Sequence, residues 1–265
     1  MATWRPYEGE WGLILGASSG FGAASARALA TAGMGIAGVH LDRKSTLPLA
    51  EAVVQDVRAA DVGAQFFNVN AADDEKRAQV IADVGILTGG RPLRLLLHSI
   101  AFGTLRPLVT DEPKQQSTRA QLEMTLDVMA TSLVYWVQDL CTAGLLDRGS
   151  RVFAMTSAGG ERVWPMYGVV SAAKSALESY VRQLACELAP RGVTVNALRA
   201  GVTVTPALMK IPGSELLLQG GARNPSGRLT QPEDVAQALV VLCLPGTAWI
   251  TGNVLGVDGG EALIA

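Results

Sequence analysis

Only two histidines and three cysteines occur in the 265 residues, and neither set is spaced for a metal. His40 and His98 have no second ligand at metal-site spacing. Cys141, Cys186 and Cys243 form an odd, widely spaced set in apolar surroundings. They read as reduced core thiols rather than a disulfide frame, which places the protein in the cytoplasm. A basic run is also lacking. With a net charge of −2 and a pI of about 5.8, neither nucleic acid nor an anionic membrane is an expected partner. No apolar run is long enough to span a bilayer, and the opening Met-Ala-Thr-Trp-Arg-Pro-Tyr-Glu-Gly-Glu carries no apolar signal core. Low-complexity linkers are missing too, so the 49% hydrophobic content serves one large α/β domain over residues 1–265.

What is present begins with Trp11-Gly-Leu-Ile-Leu15, a short apolar run with the look of a strand buried on both faces. It feeds Gly16-Ala-Ser18-Ser19-Gly20-Phe21-Gly22 and a small-residue helix over Ala23 to Ala32. Strand, glycine turn and helix form the context of a dinucleotide loop. Gly16 makes the turn, Gly20 lets the backbone meet the pyrophosphate, and Gly22 lets helix and strand pack closely. Ile36 to Leu41 is a second strand, ending at Asp42-Arg43-Lys44. Asp42 lies about 20 residues past the loop, where an acid often holds the adenosine ribose, whereas Arg43 and Lys44 suit a 2′-phosphate.

Further strands are expected over Gln65 to Val69, Leu93 to Leu97, Arg151 to Met155, Val193 to Ala197 and Asn253 to Val257. Asn68 and Val69, at the end of the third, would border the adenine. Helices are expected over Leu49 to Ala60, Asp73 to Val84, Arg119 to Thr142 and from Tyr167 to Leu188, with a last one from Pro232. The alternation predicts a single-domain, Rossmann-type doubly wound parallel sheet, with its site at the carboxyl ends of the strands. Residues 202–228, rich in Pro, Gly and Met, are expected to form a substrate lid.

A phenol and an ammonium, Tyr167 and Lys174, stand seven residues apart in the second half. Seven helical steps are about two turns, so both would share one face and grip an elongated ligand at different points. A phenol near a cation can donate to an oxygen gaining negative charge. The alternative is a buried helix start at Tyr167 with Lys174 on the wet side.

These motifs together give a family resemblance over nearly the whole chain. The Gly16/Gly20/Gly22 loop, the Tyr and Lys, Val195-Asn-Ala197, the Thr203/Thr205 region and Val257-Asp-Gly-Gly260 resemble short-chain dehydrogenases/reductases. More narrowly, the chain resembles the enoyl-acyl-carrier-protein reductases of fatty-acid synthesis. The broad family places three residues between Tyr and Lys, and here that position is Val170. Tyr167 has six residues between it and Lys174, as in enoyl reductases. Leu97-His-Ser99-Ile100-Ala101, Glu161-Arg162, Pro165-Met-Tyr167 and Ala200-Gly201 are similar to that group. Met129 occupies the place of the broad family's relay Asn, and Ser157 that of its carbonyl-orienting Ser.

The resemblance implies an NADP- or NAD-dependent reductase of an acyl thioester, small or carrier-bound. Tyr167 would bind the thioester oxygen, and Lys174 would bind the nicotinamide ribose and keep the phenol acidic. Thr203 and Thr205 would meet the nicotinamide amide or pyrophosphate, although a Thr at a strand end also caps helices. Ser99, Ile100, Ala101, Met155 and Gly201 would line the cofactor, an assignment that core packing explains equally well for Ile100, Ala101 and Met155. Aligned with the family, His40 rather than Asp42 holds the ribose position, and with Arg43 and Lys44 adjacent the lean is to NADP. The resemblance also implies a homotetramer, with the helices at about 119–142 and 167–189 packing across symmetry axes. Carbonyl reduction through Ser157 and Tyr167, and a non-catalytic dinucleotide sensor, are the competing readings.

Overall fold

The computed structural model describes residues 4–221 and 224–264. Seven strands, β1 (Trp11–Leu15), β2 (Gly35–His40), β3 (Ala64–Asn68), β4 (Leu95–His98), β5 (Arg151–Ser157), β6 (Thr194–Ala200) and β7 (Val254–Val257), form one sheet. Their order is β3-β2-β1-β4-β5-β6-β7, and every pairing is parallel. This is the doubly wound arrangement that the alternation predicts.

The central strands are apolar on both sides because helices cover both faces. Successive residues alternate between two core layers, as the two-residue strand period requires. Leu13, Leu15, Leu96, Val152 and Ala154 join one layer with Leu133, Trp136, Leu177 and Val181. Ile14, Leu95, Leu97 and Phe153 join the other with Leu29, Val235 and Leu239. Those partner residues come from α5 (Ser132–Thr142) and α6 (Gly168–Leu188) on one side, and from α1 (Gly20–Thr31) and α8 (Pro232–Leu242) on the other. The remaining helices are α2 (Leu47–Ala59), α3 (Asp74–Thr88), α4 (Arg119–Leu126) and α7 (Ser214–Gly221).

Strand order reverses between β1 and β4, so the chain diverges there and leaves a crevice at their carboxyl ends. The Ser99 amide still donates to the Leu15 carbonyl at 2.8 Å, and the Gly16 amide to that of Val39 at 2.8 Å. The crevice therefore opens immediately after residues 15 and 98.

Three local expectations are corrected. The helix expected over Arg119–Thr142 is interrupted by a π turn, Asp127–Thr131, with Met129 in it. β5 and β6 run on to Ser157 and Ala200, carrying the sheet to the lip of the crevice. The 202–228 segment, expected as a lid with little regular structure, holds a 3₁₀ turn, Leu208–Lys210, and the helix α7. Residues 222 and 223 of that segment lie outside the described residues. The central helix ends at Leu188, as its apolar pattern predicts, and a 3₁₀ turn, Ala189–Arg191, is followed by Gly192 in left-handed backbone, φ +74°.

Candidate active site

The glycine turn is built around close approach. A β-carbon on Gly16 would come within 2.3 Å of the Ser99 carbonyl oxygen, and one on Gly22 within 2.0 Å of the Gly16 oxygen. Both positions exclude any side chain, which binds the start of α1 tightly to the turn. Gly20 differs. It has room for a β-carbon, 3.6 Å from Thr205 Cγ2, and is held to glycine by its φ of +53°. Ser19 is the N-cap of α1 but its side chain makes no cap hydrogen bond, and no acid stands in the first turn. The first amides of α1 therefore face the crevice with the positive end of the helix dipole, an arrangement that fits a pyrophosphate.

At the end of β2, Asp42 is drawn in rather than solvated, its side chain only 11% exposed. His40 Nδ1 lies 2.9 Å from the Asp42 carboxylate. Burial would raise that carboxyl, but hydrogen bonds from Thr46, Ser18 and His40 outweigh it and hold it below the usual range. Asn68, expected to border an adenine, grips the Asp42 backbone from both sides, at 2.8 and 3.0 Å. Val69 donates its amide to the His40 carbonyl and packs against the core. The structure thus joins His40 and Asp42 in one cluster with Ser18, while Arg43 and Lys44 point into solvent.

Tyr167 ends the turn from β5 into α6. The residue before it, Met166, adopts left-handed backbone at φ +62°, and Tyr167 itself is the N-cap of α6 rather than its first helical residue. Its ring lies on the bare backbone of Gly159, where a β-carbon would meet Cε1 at 2.4 Å. Its hydroxyl is 3.4 Å from that of Ser157. Burial raises the phenol's pKa, and the Ser157 hydrogen bond is what works against this. Tyr167 is a neutral hydrogen-bond donor.

Lys174 is not on the wet side. It is 5% exposed and donates to the Met155 carbonyl at 2.6 Å, with burial lowering its pKa to about 8 and Glu178 opposing that. Val170, one turn earlier, packs with Met129 and Ala173. Its Cγ2 lies 2.9 Å from where a Gly103 β-carbon would stand, as does Met129 Sδ at 2.8 Å. The place where an ordinary carbonyl reductase has its phenol is filled by packing.

The other expected cofactor residues divide. Ser99 and Ile100 follow β4 directly beneath the glycine turn, with Ile100 against the core and Ala101 exposed. The Met155 side chain belongs to the core layer that also holds Ala17 and Ala23, and its carbonyl accepts from Lys174. Gly201 has no room for a side chain, because a β-carbon would strike Thr230 Oγ1 at 2.4 Å and Glu261 at 2.9 Å. The Thr203 hydroxyl donates to the Gly201 carbonyl. Thr205 accepts from the Leu208 amide, the capping alternative, while its methyl faces Gly20 across the crevice. The 202–228 segment is tied down at several points: Trp164 Nε1 donates to the Pro212 carbonyl at 3.1 Å, and Asn224 to that of Asp258.

Sequence reasoning missed Glu178, Thr156 and Trp164, and did not give His98 a role. Glu178 had a signal, an acid four residues after a lysine on one helix. The others are joined only by the fold. Among the described residues, no group of three or more His, Cys, Asp or Glu side chains could hold a metal ion, and no helix is long and apolar enough to cross a membrane.

A family model described as Enoyl-(Acyl carrier protein) reductase matches residues 16–261. The enoyl-acyl-carrier-protein reductase (NADH) FabI of Aquifex aeolicus is 32% identical over 63% of this chain, a match that spans 62% of the relative's length. The 1-cyclohexenylcarbonyl-CoA reductase of Streptomyces collinus is 29% identical over 96% of this chain and 87% of its own. The 3-oxoacyl-acyl-carrier-protein reductase of Synechocystis is 31% identical over 95% and 96% respectively. With the glycine turn, the switch-point crevice and the Tyr167–Lys174 helix in place, the chain belongs to the short-chain dehydrogenase/reductase family, resembling its enoyl-acyl-carrier-protein reductases, and is an NAD(P)H-dependent oxidoreductase.

Proposed function

We propose that the protein reduces the trans-2 double bond of an enoyl thioester. The observation that carries this is the position of the phenol. The Tyr167 hydroxyl lies 3.4 Å from that of Ser157, at the carboxyl end of β5, while Val170 is walled in by Met129 and Gly103. A donor set back by this distance leaves space for a flat, conjugated thioester with its β-carbon toward the cofactor.

The residues present fit a nicotinamide dinucleotide. The bare Gly16–Gly22 turn and the first amides of α1 would take the pyrophosphate, Asp42 the adenosine ribose, and Lys174 the nicotinamide ribose. Bound in reduced form, the cofactor supplies a hydride equivalent. Tyr167 then donates a hydrogen bond to the thioester oxygen as negative charge develops there, which is worth about 3–4 kcal/mol when the donor is prearranged. Ser157 holds the phenol in place. An inward, hydrogen-bonded Asp42 carboxylate favours a ribose diol over a 2′-phosphate, so NADH rather than NADPH is the proposed partner, a revision of the sequence-based lean.

Apolar side chains exposed on the loops beyond β4, β5 and β6 support an acyl substrate: Phe102, Leu108, Met166, Val204 and Met209. Bare apolar surface at a site is a binding feature rather than a solvated one. A second reading, carbonyl reduction, is favoured by the Ser157–Tyr167 pairing and by the whole-length similarity to a 3-oxoacyl reductase. Assays of a crotonyl and an acetoacetyl thioester, each with NADH and NADPH, decide between them. Oxidation of NADH with the crotonyl thioester alone is the expected result, and turnover of only the acetoacetyl thioester would overturn the proposal.

A further inference from the structure

Behind the active site lies a carboxylate to which the reaction as described assigns no part. Glu178 is 8% exposed, one turn beyond Lys174 on α6. The Thr156 hydroxyl, on β5, donates to its Oε1 at 2.6 Å. The turn Ala158–Gly160 closes over both residues: a Gly160 β-carbon would lie 3.5 Å from Lys174 Cβ and 3.7 Å from Glu178 Oε1. The Ser175 hydroxyl fastens that turn to the helix by donating to the Gly160 carbonyl at 2.8 Å.

We propose that Glu178, fixed by Thr156, is the positioning residue that keeps Lys174 in its cationic form inside this enclosure. This rests on the reading of Lys174 as a cofactor-binding cation. An ammonium removed from water favours its neutral form unless an opposite charge offsets the loss of hydration. The groups around Lys174 are few. From β4, His98 is neutral, its pKa pulled to about 3 by burial and by Lys174 itself. From β5 come the Met155 carbonyl and the Thr156 hydroxyl, both uncharged. At the head of α6, the Tyr167 phenol is neutral. Glu178 is the anion among them, and it acts through a low-dielectric interior where charges several ångströms apart still interact strongly. A neutral Lys174 would lose its electrostatic hold on a ribose oxygen and on charge developing near Tyr167.

Glu178→Gln tests this, since the amide keeps the shape and can still accept from Thr156. Two readouts are followed against pH: nicotinamide affinity by fluorescence, and the Lys174 side-chain resonance in isotope-labelled protein without cofactor, assigned by its absence from Lys174→Arg. Affinity falls as pH rises through the Lys174 pKa, so loss of the carboxylate moves that fall to lower pH, by about one unit. Thr156→Val, which leaves the charge but frees it, shifts both readouts in the same direction by less. An unchanged Lys174 titration in Glu178→Gln overturns the proposal. Wild-type protein that binds no nicotinamide nucleotide would instead remove the cofactor reading, and the lysine resonance would still decide what Glu178 does.

Discussion

The Ser157 hydroxyl stands 3.4 Å from that of Tyr167, close enough to steer the phenol but long for a strong hydrogen bond. Tyr167 therefore carries the larger share. Tyr167→Phe is expected to lower kcat/KM for an enoyl thioester by roughly 10²-fold or more, since it removes a donor aimed at developing charge. Ser157→Ala should cost less, because the ring is held independently by Gly159. An equal loss from both in steady-state kinetics would show Ser157 acting on substrate directly.

That support from Gly159 is itself testable. The ring occupies the space of a β-carbon, with Cε1 at 2.4 Å, and a ring cannot bend aside as the end of a flexible chain can. Gly159→Ala should displace the phenol and reduce kcat while leaving cofactor affinity close to wild type. The reverse pattern, weak cofactor binding with normal turnover, would place Tyr167 elsewhere in the reaction.

In the proposed function, cofactor choice turns on Asp42. Its carboxylate is held by Ser18 of the glycine turn together with Thr46 and His40, where it would repel a 2′-phosphate. Asp42→Ser is expected to raise the NADPH-to-NADH ratio of kcat/KM by about tenfold or more, with Arg43 and Lys44 left to attract the phosphate. A wild type that already prefers NADPH would contradict this placement.

The strands were legible because a sheet covered on both faces needs continuous apolar runs, and Trp11–Leu15 and Leu95–His98 are such runs bounded by turn residues. The glycine turn and the Tyr167–Lys174 spacing were legible for a similar reason, as local patterns with a geometric meaning. Distant partners were not. Nothing near Ser132 in sequence shows that its hydroxyl meets His98 at 2.9 Å, and nothing near Thr156 shows Glu178. The π turn at Met129 and the burial of Lys174 likewise depend on what the fold packs around them. The need for glycine at 201 was equally hidden, because Thr230 and Glu261, which leave no room for a β-carbon there, lie far along the chain.

Self-association is a proposal from the family resemblance. Trp249 is 97% exposed, Leu263 87% and Val163 98%, so each has apolar area that association would remove from water. A homotetramer is expected by light scattering at micromolar concentration, and a charge placed at Trp249, Trp249→Glu, should shift it to smaller species. A monomeric wild type would refute it.

The last prediction concerns His98, which is fully buried. The Ser132 hydroxyl donates to the Val128 carbonyl at 2.8 Å, so its oxygen accepts from His98 Nε2, which must carry the proton. Nδ1 is then a bare acceptor, and it has no hydrogen-bond partner. Burial, and next the Lys174 charge, take the folded pKa to about 3 from an ordinary 6.5. Between those two values the unfolded chain binds a proton that the native protein refuses, so stability is complete above 6.5 and drains as pH falls toward 3. From pH 7 to pH 5 one such histidine costs about 2 kcal/mol. Denaturant unfolding should show that slope in the wild type and a flatter one in His98→Gln, whose amide can still donate to Ser132 but does not titrate. Equal slopes in the two proteins would mean that His98 gains a proton without unfolding.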